Sequence, residues 1–476
     1  MTFFISNFIE QMTFFAYNFI EQMQIIIQEA SMFKRKVTDQ LMEWKEKYAP
    51  KYAALLEGAR RVGKSTVAEN FARENYKSYI KIDFANISKE LLEVFDDIAN
   101  QNIFFLRLQT ITGITLYPRE SVIIFDEIQR QPLVRQAIKY LVADGRYDYI
   151  ETGSLISIKK NVKDIVIPSE EHKIPVYPMD YEEFMWAIGN DTYPVLRELY
   201  HTGKPVGNGT NRRLMRDFRI YMAVGGMPQA VEAYVNGKNF TEIDAVKREI
   251  INLYVDDFKK IDSSGLVGKM YEAIPSQLAT NKKRYMISRA TGKRKTSKDE
   301  ERLSDLLDSK TVIPCYNTSN PSITLAQTKD DDTFKLYLSD IGLFTTMIFK
   351  ASQHTSENIY SKLLSDKLPA DLGYLYENAV AQIIAATGRS LYYHTWEKEN
   401  STHYFEADFL LQDKAKLMPL EVKSSATKKH ESIDAFCTKF SKCISGAILL
   451  SQKDVGKDQS LLFKPIYMLP FILEDL

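Results

Sequence analysis

Gly58, Ala59, Arg60, Arg61, Val62, Gly63, Lys64 and Ser65 follow one another in the spacing GxxxxGK[ST], the pattern of a phosphate-cradling loop. The chemistry explains the composition. Backbone N–H groups must converge on an anion, so the chain bends where side chains would clash, and glycine permits the bend. Lys64 can then reach the β- and γ-phosphates of a nucleotide, and Ser65 offers a hydroxyl to Mg²⁺. A helix opening at that point adds its positive end. The residues from Gly58 to Thr66 are therefore the expected phosphate contacts, with ATP and Mg as the expected ligands.

A second group supplies acid. Ser121-Val-Ile-Ile-Phe-Asp126-Glu127 reads as a strand buried on both faces that ends in two carboxylates. Asp126 is expected to hold Mg²⁺, and Glu127 to orient and polarise an attacking water. The segment Tyr147-Asp-Tyr-Ile-Glu-Thr-Gly153-Ser154 reads as the neighbouring strand. Either Thr152 or Ser154 is placed to contact the γ-phosphate or the water, although Thr-Gly-Ser is also an ordinary strand-ending turn.

A third group lies near the C-terminus. Glu377 falls in a helical stretch near 372–387, and Asp408 closes the pattern Glu406-Ala-Asp408. Glu421 and Lys423 share one side of a strand by alternation. Asp408 and Glu421 on adjacent strands would hold a divalent cation, and Lys423 would stabilise developing charge, an arrangement suited to cleaving phosphodiesters. The same letters also suit a strand with polar residues on its wet face. Glu-x-Lys recurs at Glu43/Lys45 and Glu171/Lys173 with no such context.

The elements around these groups alternate. A helix over 37–48 carries Leu41 and Trp44 inward, and strands are expected at 52–57 and 78–84. Ser88 is expected to cap a helix reaching about Asn100, and a further helix lies near 133–143. Strands alternating with helices predict an α/β fold with a mostly parallel sheet over 32–175. Residues 176–262 read as a helical lid. Residues 263–345 read as short helices followed by a hairpin, an order that suits a winged helix, and 346–476 as a further α/β domain. The stretch 282–298 holds Lys282, Lys283, Arg284, Arg289, Lys293, Arg294, Lys295 and Lys298 and no acid. It would either neutralise phosphates of a nucleic acid or remain a solvated basic loop. Asp299-Glu300-Glu301 speaks against groove reading by the next helix.

At 476 residues the chain exceeds one compact core, so several domains are expected. Lysines and arginines number 62 and so do the acids, which leaves no chain-wide pull toward nucleic acid or membrane. Cys315, Cys437 and Cys443 show no metal spacing and no disulfide framework, which points to a reducing, cytoplasmic setting. His394 is expected to pack within a strand. The first eleven residues recur over 12–22 with two differences. The 1–31 segment reads as a duplicated extension ahead of a start at Met32, or as an amphipathic helix for a partner or membrane surface. No transmembrane span is visible.

From Met32 onward the chain resembles a family of AAA-type P-loop ATPases that carry domain of unknown function 4143 at the C-terminus. The resemblance rests on the Gly58–Ser65 loop, Ile123-Ile-Phe-Asp-Glu-Ile-Gln129, Thr152-Gly-Ser-Leu155 and Tyr177-Pro-Met-Asp-Tyr-Glu-Glu-Phe184. It continues through Val224-Gly-Gly-Met-Pro228, Ile274–Leu278, Lys335–Leu343, Glu377–Ala381, Glu406–Phe409 and Glu421–Ser424. It implies an ATPase core with lid, a winged helix and a restriction-endonuclease-like C-terminal fold. It also implies that Gly226 and Pro228 lie near the adenine. The nuclease pattern places proline before its first aspartate, where this chain has Ala407.

The leading expectation is an ATP-hydrolysing molecular switch coupled to a nuclease-like module. An ATP-gated DNA or RNA nuclease and an ATP-dependent scaffold for a protein partner stand beside it. The sequence leaves the oligomeric state open and singles out none of Arg60, Arg61 and Arg130 as a finger.

Overall fold

The computed structural model describes residues 33–153, 168–280, 283–322, 324–349, 357–367, 373–399, 401–424, 430–458 and 461–476. The N-terminal repeat, Ser154 and Lys282 lie outside the described residues.

Five of the described strands form one sheet: β1 (Ala53–Glu57), β2 (Ser78–Asp83), β3 (Ser121–Asp126), β4 (Asp148–Gly153) and β5 (Glu171–Pro175). All pairings are parallel, in the order β2-β3-β4-β1-β5. The continuous apolar runs of β1 and β3 suit this, because helices cover both faces of a parallel sheet. Val37–Lys47, Lys64–Asn75 and Pro132–Asp144 are among those helices, and Leu41 and Trp44 are fully buried as their spacing predicts. Ser88 does cap a helix, accepting the Leu91 amide, but that helix stops at Glu93. A 3-10 turn follows over Val94–Asp97, and Asn100 caps a separate helix, Gln101–Thr112. The Asn100 side chain accepts the Ile103 amide and so starts a new helix where a single one was expected to end.

The stretch after β5 is helical: Tyr181–Ala187, Tyr193–His201, Asn208–Val224, Pro228–Val235 and Phe240–Ile261. Short helices Leu266–Glu272, Ile274–Leu278, Ile287–Thr291 and Ser297–Asp308 lead into an antiparallel hairpin of β6 (Val312–Thr318) and β7 (Lys329–Leu338). That order matches the expectation for 263–345, but the hairpin is not a separate wing. Cys315, Tyr316 and Asn317 of β6 pair in parallel with Leu391, Tyr392 and Tyr393 of β8 (Leu391–Glu397). The sheet runs on through β9 (Tyr404–Asp413), β10 (Lys416–Val422), β11 (Ala447–Ser451), β13 (Leu461–Pro465) and β12 (Gly456–Asp458). It is a mixed sheet of eight described strands, in the order β12-β13-β11-β10-β9-β8-β6-β7. The expected boundary at 345/346 thus cuts through one sheet, because the edge of β6 is satisfied by β8 rather than by solvent.

The helix Gly373–Ala386 fastens to this sheet. Asn378 exchanges hydrogen bonds with the backbone of Leu338 at 2.9 and 3.0 Å. His394 packs within β8 as expected, stacked on Trp396 and bonded through Nδ1 to the Thr318 carbonyl at 2.6 Å. No helix among the described residues is long and apolar enough to cross a membrane.

Candidate active site

The loop between β1 and the helix Lys64–Asn75 closes as its glycines require. A Cβ on Gly58 would lie 2.2 Å from the Val176 carbonyl oxygen, so no larger residue fits beside the end of β5. Gly63 stands at φ 95° and sets the helix N-terminus. Arg61 is also left-handed, at φ 70°. Lys64 is buried and donates from Nζ to the Gly58 and Ala59 carbonyls at 3.1 and 2.9 Å. Burial pushes its ammonium down to about 8, against the pull of Glu127 and Asp126.

The acidic pair sits beside this loop. Ser65 donates from Oγ to Asp126 Oδ1 at 2.7 Å, and Thr152 Oγ1 donates to the same carboxylate oxygen. Thr152, at the end of β4, thus touches Asp126, while Ser154 lies outside the described residues. Lys81 of β2 lies 3.8 Å from Asp126 Oδ2. Glu127 is held at φ 56°, a conformation uncommon outside glycine that recurs at functional sites. Its carboxylate accepts the Gln129 side-chain amide. The Ser65 hydroxyl and the Asp126 carboxylate are hard oxygen donors, and such a set fits Mg²⁺.

The helical segment closes over the loop. Arg60 pairs with Asp257 at 3.0 Å, and Tyr254 donates to the Arg60 carbonyl at 2.8 Å. Pro228 Cγ would lie 3.5 Å from a Cβ placed on Gly63. Gly226 meets Met179 so closely that a Cβ would come within 1.9 Å of the Met179 carbonyl oxygen. On the other side of Gly226, its amide donates to Asp340 Oδ2 at 2.6 Å. Asp340 is wholly buried, its carboxyl raised by burial, and it also accepts the Leu343 amide at 2.8 Å.

Arg35 is a contact that sequence reasoning missed. It donates to the Val62 carbonyl at 2.9 Å, the Tyr177 carbonyl at 2.7 Å and Glu183 at 3.1 Å. Its acceptor Glu183 also closes a capping box with Asp180, a local pattern that does not point to Arg35.

The C-terminal residues also converge. Leu420 pairs with Phe409, which sets Asp408 and Glu421 on adjacent strands, and Asp408 Oδ2 accepts the Val422 amide at 2.8 Å. Lys423 Nζ meets Glu421 Oε1 at 2.5 Å, as alternation predicts. Burial and the Glu421 and Glu377 carboxylates hold Asp408 well above the usual carboxylate range. Three residues were not anticipated here: Lys283, Lys335 and Glu406. Lys283 Nζ meets Glu377 Oε1 at 2.5 Å, and Lys335 Nζ meets Glu406 Oε1 at 2.7 Å. As arranged, no group of three His, Cys, Asp or Glu among the described residues is set to hold a metal ion.

The basic stretch divides accordingly. Lys283 turns inward, and Lys295 pairs with Glu300 and Asp332 at 3.2 and 3.5 Å. Arg284, Arg289, Lys293, Arg294 and Lys298 are exposed.

Three stretches of the chain match known families. Residues 50–185 match the family described as AAA domain. Residues 215–354 match Domain of unknown function (DUF8612), and residues 372–467 match Domain of unknown function (DUF4143). No curated protein matches the chain. Among solved structures, a Signal Transduction ATPase with Numerous Domains from Pyrococcus horikoshii, with a tetratricopeptide repeat sensor, is similar at 11% identity and a TM-score of 0.27. The match covers 74% of this chain and 48% of that one, so the chain spans about half of its length. Cdc6p from Pyrobaculum aerophilum is similar at 12% identity and a TM-score of 0.23, over 69% of this chain and 92% of that one. The phosphate loop at the head of the parallel sheet thus lies within the stretch that matches an AAA domain, and the strands of the second sheet from β8 onward lie within the stretch that matches DUF4143.

Proposed function

We propose that the protein binds and hydrolyses ATP with Mg²⁺ and works as a molecular switch. The nucleotide sits between the parallel sheet and the helical segment 176–262, with Gly226 and Pro228 toward the base. The observation that carries this reading is the 2.7 Å contact of Ser65 Oγ with Asp126 Oδ1, beside the buried Lys64. Ser65 and Asp126 would hold Mg²⁺, which when bound neutralises phosphate charge. Lys64 exchanges its two loop carbonyls for phosphate oxygens. Glu127, oriented by Gln129, takes the proton of a water as that water's oxygen bonds to the γ-phosphorus. The bond from that phosphorus to the bridging oxygen breaks, and ADP keeps the electron pair. The contacts of Gly226 with Met179 and Asp340 support a path by which the lid's position reaches the C-terminal sheet.

Phosphate release by the purified full chain tests the proposal, with and without single-stranded DNA, duplex DNA and RNA. Turnover that vanishes in Glu127→Gln supports it, and stimulation by one nucleic acid names the ligand class. Unchanged turnover in Glu127→Gln removes that residue from the role.

A second reading is nucleic-acid cleavage at Asp408, Glu421 and Lys423, favoured by their juxtaposition on β9 and β10. Cutting in Mg²⁺ or Mn²⁺ that persists in an Asp408→Ala/Glu421→Ala variant rules those residues out.

A further inference from the structure

Four carboxylates gather at one end of the second sheet, and they come from three elements. Glu377 stands on the helix Gly373–Ala386, Glu406 and Asp408 on β9, and Glu421 on β10. Three lysines face them. Lys335, with no exposed side-chain surface, belongs to Glu406 at 2.7 Å, and Lys423 belongs to Glu421 at 2.5 Å. Lys283 differs from both. Its Nζ lies 2.5 Å from Glu377 Oε1, 3.8 Å from Glu406 Oε1 and 4.0 Å from Asp408 Oδ1, so it is shared among three acids. It arrives from outside the sheet, from the turn before the helix Ile287–Thr291, and its backbone sits at φ 45°. A left-handed lysine persists where its surroundings hold it. Glu421 supplies an independent sign that the seat is built for more than one ammonium. It is only 3% exposed, and its Oε2 has no hydrogen-bond partner. A buried acceptor left so carries a real cost unless a ligand meets it.

We propose, resting on the second reading's cation site, that the Lys283 ammonium fills the seat these carboxylates would offer a divalent cation, so that metal and Lys283 exclude one another. The seat is lined by carboxylate oxygens, the donor type that Mg²⁺ and Mn²⁺ take. An ammonium offers three N–H groups and one charge. A divalent ion in the same seat would bring two charges and could draw on the unpartnered oxygen of Glu421. The inference bears on the second reading above but does not need cleavage, because its readout is the binding of metal.

The test is Mn²⁺ binding by the nucleotide-free full chain, followed by the loss of the free-ion electron paramagnetic resonance signal. The wild type and Asp408→Asn are expected to bind equally, since the seat is filled in both. Lys283→Ala is expected to gain one bound Mn²⁺ per chain, and Lys283→Ala/Asp408→Asn to lose it again. Lys283→Gln keeps most of the stem and serves as a second variant. If either variant melts early, added Mn²⁺ should restore its melting temperature and leave that of the wild type unchanged. Three results would overturn the proposal. One is a folded Lys283 variant with no gain in Mn²⁺. Another is variants that stay unfolded whatever the Mn²⁺. The third is a wild type that already binds Mn²⁺ through Asp408 as tightly as Lys283→Ala does.

Discussion

Asp340 accepts the amide of Gly226 at 2.6 Å across 114 residues of sequence. One carboxylate thereby ties the glycine pair above the phosphate loop to the corner where β7 turns into the helix Ile341–Ile348. The same helix start binds Gln382 of the helix Gly373–Ala386, through the Ile341 amide at 2.7 Å. The proposed nucleotide site and the second sheet are therefore joined by hydrogen bonds between buried groups. Such groups are costly to leave unsatisfied, which makes the joint stiff.

Replacing Asp340 tests that joint. Asp340→Ala leaves the buried amides of Gly226 and Leu343, among others, without their acceptor. We expect a loss of about 1–3 kcal/mol of stability for such unsatisfied groups. Urea unfolding measures it, and an unchanged midpoint would show that the joint carries no load.

Gly226 itself admits no side chain. The 1.9 Å approach to the Met179 carbonyl is to backbone, which cannot rotate aside. Gly226→Ala should cost roughly 1–3 kcal/mol or more by overpacking and should weaken ATP binding with it. Calorimetric melting together with nucleotide titration checks both effects. A melting temperature equal to that of the wild type contradicts the crowding.

The two halves of the proposed ATP site should separate by variant. Lys64→Ala removes the ammonium that meets the phosphates and should abolish detectable ATP binding. Glu127→Gln should keep binding and lower turnover about 10²- to 10⁴-fold, the usual contribution of a positioned base. Equilibrium binding of a fluorescent ATP analogue, paired with phosphate release, distinguishes the two.

Affinity for ATP should depend on pH through Lys64. Burial brings its ammonium down to about 8 before nucleotide arrives, and phosphates bound beside it raise it again. A group raised on binding contributes fully below its unbound value, and its contribution fades as pH climbs past that value. Affinity should thus hold to about pH 8 and then weaken by at most about tenfold per pH unit. Titrations at several pH values measure this, and flat affinity up to about pH 10 would place Lys64 away from the phosphates.

The loop and the acidic pair were legible because each is a local pattern whose spacing carries its chemistry. Gly58 to Ser65 and Asp126-Glu127 need only the strand-loop-helix context around them. Asp408, Glu421 and Lys423 were legible through strand alternation. Lys283 was not. It sits in a run without acids, so its letters argue for a solvated or phosphate-facing role. Its partner Glu377 lies 94 residues away. Asp340 and Arg35 were hidden for the same reason, since buried partners far along the chain leave no periodic trace. The parallel pairing of β6 with β8 was also unreadable, because an apolar strand does not announce which neighbour it will take.

That pairing bears on how the protein can be divided in the laboratory. A fragment ending near residue 345 would strip β8 from β6 and leave the Cys315–Asn317 backbone bare, a surface prone to self-association. A fragment beginning at 346 would lose Lys283 and Lys335 and keep Glu377, Glu406, Asp408 and Glu421, so its behaviour toward metals would misreport that of the intact chain.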